Sequence, residues 1–185
     1  EIVVWPEAAL RVDRPPGQGD PLWTRIQQAV RRAGVPVIAG VFVGDLDENL
    51  AVLVGADGSI GPSYSKNRLI PGMESYTPGA LAPEPWEVAG IPVPVGAVIC
   101  FDDCFARGTQ RLASRGAGLL AVPTNDWPSV QHRHRRLSIL RAAQAGLPLV
   151  RAASGGISQV VSARGRVLAQ AAAPTDDAVV LVATG

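Results

Sequence analysis

Gly118-Leu119-Leu120-Ala121-Val122-Pro123, the stretch 130–145, and Leu147-Pro148-Leu149-Val150-Arg151-Ala152 together decide the fold. The outer two are apolar runs of strand length. The middle one is a basic stretch with helical periodicity, ended by Gly146. Strands alternating with helices point to a layered α/β fold.

Reading outward gives the same rhythm. Residues 2–5 form a buried strand that ends at Pro6-Glu7, and a proline-rich polar loop covers 13–20. Leu22, Ile26, Ala29 and Val30 fall at helical spacing over 21–33, and Gly34 stops that helix. Residues 35–43 are almost wholly apolar, as in a strand covered on both faces. The segments 49–54 and 60–69 flank Asp57-Gly58 as a hairpin, which implies a mixed rather than a purely parallel sheet. Residues 71–85 are irregular. The pattern predicts a strand over 86–101, punctuated at Gly90 and Gly96, and a helix over 105–113. Further strands follow at 158–162 and 167–170 around an Arg164-Gly165 turn, with a terminal strand at 178–183. No repeat and no linker divides the chain, so residues 1–185 read as a single domain. Its start at Glu1-Ile2-Val3-Val4-Trp5 lies inside a strand and reads as an N-terminal truncation.

Composition narrows the function. Of 185 residues 47% are hydrophobic, which provides a sizeable core. A net charge of +1 gives no bulk electrostatic hold on nucleic acid. Among 17 Lys and Arg, Lys66 is the single Lys. A lysine, unlike an arginine, has a pKa that its site can shift. The two cysteines, Cys100 and Cys104, make no disulfide scaffold, and no apolar run reaches the ~18 residues of a membrane span.

Three predicted strand ends carry reactive groups: Glu7, Lys66 in Tyr64-Ser65-Lys66, and Cys100 in Val98-Ile99-Cys100-Phe101. A thiol to attack a carbonyl, a carboxylate to take its proton and an ammonium to stabilise the oxyanion would form a covalent acyl-transfer machine. Spacing alone does not bring them together.

Glu, Lys and Cys in this order resemble the nitrilase, or carbon-nitrogen hydrolase, superfamily. The resemblance extends through Lys66-Asn67-Arg68-Leu69-Ile70-Pro71 and on to Glu74. Trp5-Pro6-Glu7, Asn125-Asp126-Trp127, His134 seven residues before Arg141-Ala142, Leu147-Pro148-Leu149-Val150-Arg151, Gly156-Ile157-Ser158 and Arg164-Gly165-Arg166-Val167-Leu168 are similar to the apolipoprotein N-acyltransferase branch. The resemblance implies an α-β-β-α sandwich of two mixed sheets, here lacking its first strand. It implies Cys100 as nucleophile, Glu7 as general base and Lys66 as oxyanion stabiliser, helped by the Phe101 N–H, with Glu74 orienting the amine or relaying protons. Asp102 stands where the family has Glu, Gly72-Met73 replaces Phe-Gly before Glu74, and Gln144 replaces Glu after Arg-Ala. These departures bear on substrate more than on chemistry.

The remaining motifs have plainer readings. Cys104 reads as packing. Trp127 reads as pocket wall or core with equal weight, and Asn125 joins it as a candidate substrate contact. Two histidines at i, i+2 and no paired-Cys spacing argue against zinc, so no metal and no cofactor is expected. His134 is expected to hydrogen-bond within the fold. Arg133, Arg135, Arg136 and Arg141 are expected to form a solvated basic face, with anionic lipid headgroups as the less favoured reading. Gly155-Gly156 form no phosphate loop.

Three functions follow. The first is acyl transfer from a phospholipid donor to a lipoprotein amine, on the extracytoplasmic side of a bacterial plasma membrane, with membrane contact through a part outside this chain. The second is a cytoplasmic amidase acting on a small amide. The third is a non-catalytic binding domain. Superfamily members commonly pair, so a homo-oligomer is compatible with all three.

Overall fold

Residues 1–172 are described by a computed structural model. The strands are β1 Val3–Val4, β2 Leu10–Val12, β3 Val37–Val43, β4 Glu48–Val54, β5 Ile60–Ser65, β6 Val95–Ala97, β7 Leu119–Asn125, β8 Leu149–Ser154, β9 Ile157–Val161 and β10 Val167–Ala172. The helices are α1 Pro21–Ala33, α2 Ala106–Ser114 and α3 Gln131–Ala145. One sheet runs β1-β3-β4-β5 with β2 also beside β3, and the other runs β10-β9-β8-β7-β6. Both mix parallel and antiparallel pairs.

Alternation along β3 shows how the layers are built. Val37, Ala39, Val41 and Val43 pack outward against Trp23, Ile26 and Val30 of α1. Ile38 turns the other way, into a core with Ala51, Leu53, Val95, Ala97 and Ala121 between the sheets. Leu112 of α2 and Ala142 of α3 cover the far side with Leu120, Val122 and Leu149. The period of two therefore places helix, sheet, sheet and helix in order, which is the predicted α-β-β-α sandwich. Helix α1 has the expected ends: Asp20 accepts the Leu22 N–H at 2.9 Å, Pro21 opens the first turn, and Gly34 closes it at φ +66°. Among the described residues no helix is long and apolar enough to cross a membrane.

Several expectations are corrected. Strand β2 is too short to leave a periodic signal. Strand β5 stops at Ser65, because the Arg68 N–H turns away to Asp102 Oδ1 at 2.8 Å instead of continuing the ladder. The strand expected over 86–101 shrinks to β6 and a lone bridge between Trp86 and Val95. Pro92 and Pro94 lack the donors that a ladder needs. Cys100 therefore does not end a strand. It opens a 3₁₀ turn, Cys100–Cys104, drawn together as Asp102 accepts the Ile99 N–H at 3.3 Å. The strand expected at 178–183 lies outside the described residues.

Gly40 is required by the approach of the chain beyond β1. A Cβ there would lie 2.0 Å from the Pro6 carbonyl oxygen and 2.7 Å from the Glu7 Cα. Backbone cannot rotate out of the way, so Gly40→Ala is expected to cost about 1–3 kcal/mol, read as a lower urea midpoint, and to displace Glu7.

Candidate active site

Lys66 is the centre of the site. Its side chain is fully buried one residue past β5, where its N–H donates to Asn49 O at 2.9 Å. Its Nζ donates to Glu7 Oε1 at 2.7 Å and to Glu74 Oε1 at 2.6 Å. Burial pulls its pKa down, but the Glu7 charge, with help from a Cys100 thiolate and from the hydrogen bonds to Glu7 and Glu74, holds it well above the usual lysine range.

Glu7 is held at every oxygen. Oε1 also accepts Asn49 Nδ2 at 2.7 Å, and Oε2 accepts the Asn125 N–H at 2.8 Å. The Glu7 N–H donates to Thr124 O at 3.3 Å, which ties the first sheet to the end of β7 in the second. Glu74 accepts the Ile70 N–H at 2.7 Å and the Tyr76 hydroxyl at 2.9 Å, so the irregular loop folds around this carboxylate.

Cys100 stands across the site at φ +45°, a left-handed conformation unusual for a residue with a Cβ. Ala8, next to Glu7, shares that conformation at φ +49°. Backbone strain of this kind concentrates at functional sites. Burial pushes the Cys100 thiol up to about 11. The neighbouring His134 and the Lys66 charge pull it down, while the Glu7 charge works with burial. Its sulfur lies 3.7 Å from the Asn125 carbonyl oxygen. The main chain of Asn125 thus joins Glu7 to Cys100, while its residue is exposed.

Asp102 anchors the Cys100 turn. Oδ1 takes the Arg68 N–H, and Oδ2 takes the Tyr64 hydroxyl at 2.9 Å. It thereby ties the turn that carries the thiol to the strand end that carries the ammonium. Phe101 and Phe105 meet edge to face at 5.2 Å, and the Arg68 guanidinium lies 4.2 Å from the centre of the Phe105 ring. With Trp127 and Leu137 they wall a cleft of about 410 Å³, which also meets Cys104, His134 and Arg133. Trp127 is therefore cleft wall rather than core, and Cys104 faces the same space.

A second polar assembly escaped the sequence reading. His134 Nδ1 lies 2.8 Å from Asp126 Oδ1, and Arg151 reaches Asp126 Oδ2 at 2.5 Å. Arg151 also donates to the Ser138 hydroxyl at 3.1 Å, and Ser138 in turn donates to Asp103. Burial raises Asp126, yet His134 and Arg151 together hold it below the usual carboxylate range. His134 donates to the Asp126 carboxylate, and this bond, with the nearby Cys100 and Cys104 sulfurs, raises it to about 11. Arg141, expected on a solvated face, is buried and donates to the carbonyls of Asp103 and Cys104 at 3.2 and 3.4 Å. The inner face of α3 is polar because the turn it covers exposes carbonyls and a carboxylate. One signal was available: Arg151 is a charge inside an apolar strand, which demands a buried partner. The glycines at 155 and 156 serve the same assembly. A Cβ on either would come within 2.6 Å of Asp126.

Cys100, Asp126 and His134 offer ligand atoms within 4.8 Å of one another, a group that the sequence reading did not consider. Asp126 is already engaged at both oxygens, by His134 and by Arg151. The group is organised as a hydrogen-bonded dyad facing a thiol.

A family model described as carbon-nitrogen hydrolase matches residues 1–184. An apolipoprotein N-acyltransferase of Thermosynechococcus vestitus is 31% identical over 91% of this chain and 36% of its own length. A nitrilase of Pyrococcus abyssi is 34% identical over 55% of this chain and 39% of its own. The chain thus spans little more than a third of either relative's length. A solved variant of the amidase from Nesterenkonia sp. AN1, with acrylamide added at its active-site cysteine, superposes with a TM-score of 0.78. It is 22% identical, and the match covers 92% of this chain and 75% of that one, a likeness of fold.

Two stability measurements test the site. Lys66→Met leaves the buried Glu7 carboxylate facing the partly buried Glu74 carboxylate, at an expected cost of about 3–5 kcal/mol in urea unfolding. The His134–Asp126 pair predicts a pH window. Asp126, depressed from 3.8, stabilises above that value and loses its contribution as pH falls through the lower folded value. His134, raised from 6.5, stabilises fully below 6.5 and loses its contribution as pH rises toward about 11. The stability advantage of the parent over Asp126→Asn should therefore peak between about pH 4 and 6.5.

Proposed function

This chain belongs to the carbon-nitrogen hydrolase family, and on that premise we propose that it is a thiol acyl-transfer enzyme acting through Cys100. The observation that carries the reading is the pair of short contacts from Lys66 to Glu7 and Glu74, inside the same strained enclosure as the thiol. A relic serving only as a binding domain would have no use for so costly a buried charge.

The chemistry follows from the groups. Glu7 takes the thiol proton, and the sulfur lone pair attacks the donor carbonyl. Lys66, with two of its three N–H groups engaged by the glutamates, offers the third to the oxyanion, together with the Phe101 N–H. Collapse breaks the C–O bond and leaves a thioester, and the alcohol departs with the proton from Glu7. An amine then attacks the thioester. Its C–N bond forms as the C–S bond breaks, and its proton returns through Glu7 to the sulfur.

The donor we propose is a phospholipid acyl ester, and the acceptor is the N-terminal amine of a lipoprotein. The aromatic cleft beside the turn suits an acyl chain, and Arg133 at its wall suits an anionic headgroup. The likeness to the N-acyltransferase of T. vestitus over most of the chain supports the same reading. The likeness to the P. abyssi nitrilase favours a second reading, hydrolysis of a small amide with water as acceptor.

Intact-mass detection of the Cys100 thioester separates the two. Each buried CH₂ contributes about 0.8 kcal/mol, so acylation by an octanoyl ester should exceed that by a butyryl ester at least tenfold. Trp127→Ala should flatten this dependence, and Cys100→Ala should abolish the adduct. Equal rates for both esters, with faster turnover of small amides, would move the assignment to the amidase.

A further inference from the structure

The family chemistry places one cation, Lys66, beside the nucleophile. The structure places a second titratable nitrogen base, His134, near the same sulfur. We propose that His134, oriented by Asp126, is the charge partner of the Cys100 thiolate on the side opposite Lys66, and that Asp126 is its positioning residue. The inference rests on the reading of Cys100 as nucleophile.

Geometry supports the pairing first. A ring nitrogen of His134, a carboxylate oxygen of Asp126 and the Cys100 sulfur lie within 4.8 Å of one another, all from buried residues. With Nδ1 held by Asp126, Nε2 is the ring nitrogen left to serve a thiolate. Trp127 packs edge-on to the imidazole at 6.4 Å and restricts its rotation.

The support behind the ring closes on itself. From His134 the bonds run to Asp126, Arg151, Ser138 and Asp103. Asp103 lies in the same 3₁₀ turn as Cys100. The chain of contacts that fixes the imidazole therefore also fixes the turn that carries the sulfur. Gly155 and Gly156 leave Asp126 the room it needs.

Charges facing the pair come from every side. Cys100 is faced by Glu7 and Lys66 from the first sheet and by His134 from α3. His134 is faced by Asp126 from the loop after β7 and by Cys100 and Cys104 from the turn. Asp103 and Arg151 stand one contact further back. Within this set the neighbouring His134 and the Lys66 charge both oppose the burial of the thiol. Lys66 is already shared between two carboxylates, whereas His134 answers to one carboxylate that Arg151 also neutralises.

The test reads Cys100 alone. Iodoacetamide alkylation is followed from pH 6 to 11.5, with peptide fragmentation to separate Cys100 from Cys104. His134→Gln and Asp126→Asn should each lower the Cys100 rate at pH 7 at least tenfold, and their profiles should still be rising at the pH where the parent profile bends. Reciprocally, the His134 imidazole, followed by nitrogen-15 NMR, should titrate at least one pH unit lower in Cys100→Ala than in the parent, since coupling between two sites acts equally on both. That variant also carries the test should the buried-site substitutions fail to fold. Profiles that coincide in parent and variants, with a His134 titration unmoved by Cys100→Ala, would overturn the pairing while leaving Cys100 as nucleophile. A parent Cys100 that resists alkylation, with the His134 shift present, would keep the pairing and overturn the acyl-transfer reading.

Discussion

A primary ammonium with no exposed surface must have anionic partners, and the arrangement of this chain around Lys66 follows from that requirement. Glu7 reaches it from the loop after β1, which passes so close over β3 that only Gly40 fits beneath. Glu74 reaches it from the irregular loop after β5. The loop that carries Glu74 has few ladder bonds of its own. It is held by the Ile70 N–H on Glu74, by the Thr77 N–H on Asp47 O at 2.7 Å, and by the Gly79 N–H on Lys66 O at 2.8 Å. A Cβ at Gly79 would lie 2.4 Å from Ser65 O. One buried charge thus explains the paths of two loops and the glycines beneath them.

The second sheet answers with its own buried polar assembly around Asp126. Each assembly sits at the end of its sheet, and the 3₁₀ turn lies between them. Asp102 ties that turn to the Lys66 side through Tyr64 and Arg68, and Asp103 ties it to the His134 side through Ser138. Two consecutive aspartates of one turn therefore face opposite assemblies. This is a direct use of sandwich architecture: two sheets packed face to face bring strand ends from distant sequence into one space.

How much of this the sequence disclosed depended on the range of the interaction. Helix α1 was legible to the residue because its cap, its apolar positions and its terminal glycine are all local. Strand β3 was legible from its apolar run. Glu7, Lys66 and Cys100 were legible as a set only through their family order, since the contact between Glu7 and Lys66 spans 59 positions. The turn at Cys100 was misread as strand because its cause is the side chain of Asp102, together with prolines upstream. Arg141 was misread as solvated because helical periodicity shows which residues share a face, and not whether that face meets water or carbonyls. The role of Asp126 depends on Arg151, one strand over, and no local pattern encodes that contact.

The charge balance of the site gives a physical reason for two cations. Lys66 already stands between two carboxylates, so ionising Cys100 beside them places a further negative charge in an enclosure with a single ammonium. Burial adds to the opposition. In a medium of low dielectric, such an imbalance favours the neutral thiol. His134 and Asp126 alone would contribute no net charge. Arg151 changes that: it neutralises Asp126 from behind and leaves the imidazolium uncompensated toward the sulfur. The fully buried arginine in β8, with no contact to the thiol, is in this sense what allows the opposite sheet to supply the positive charge that the Lys66 side has already committed to its glutamates.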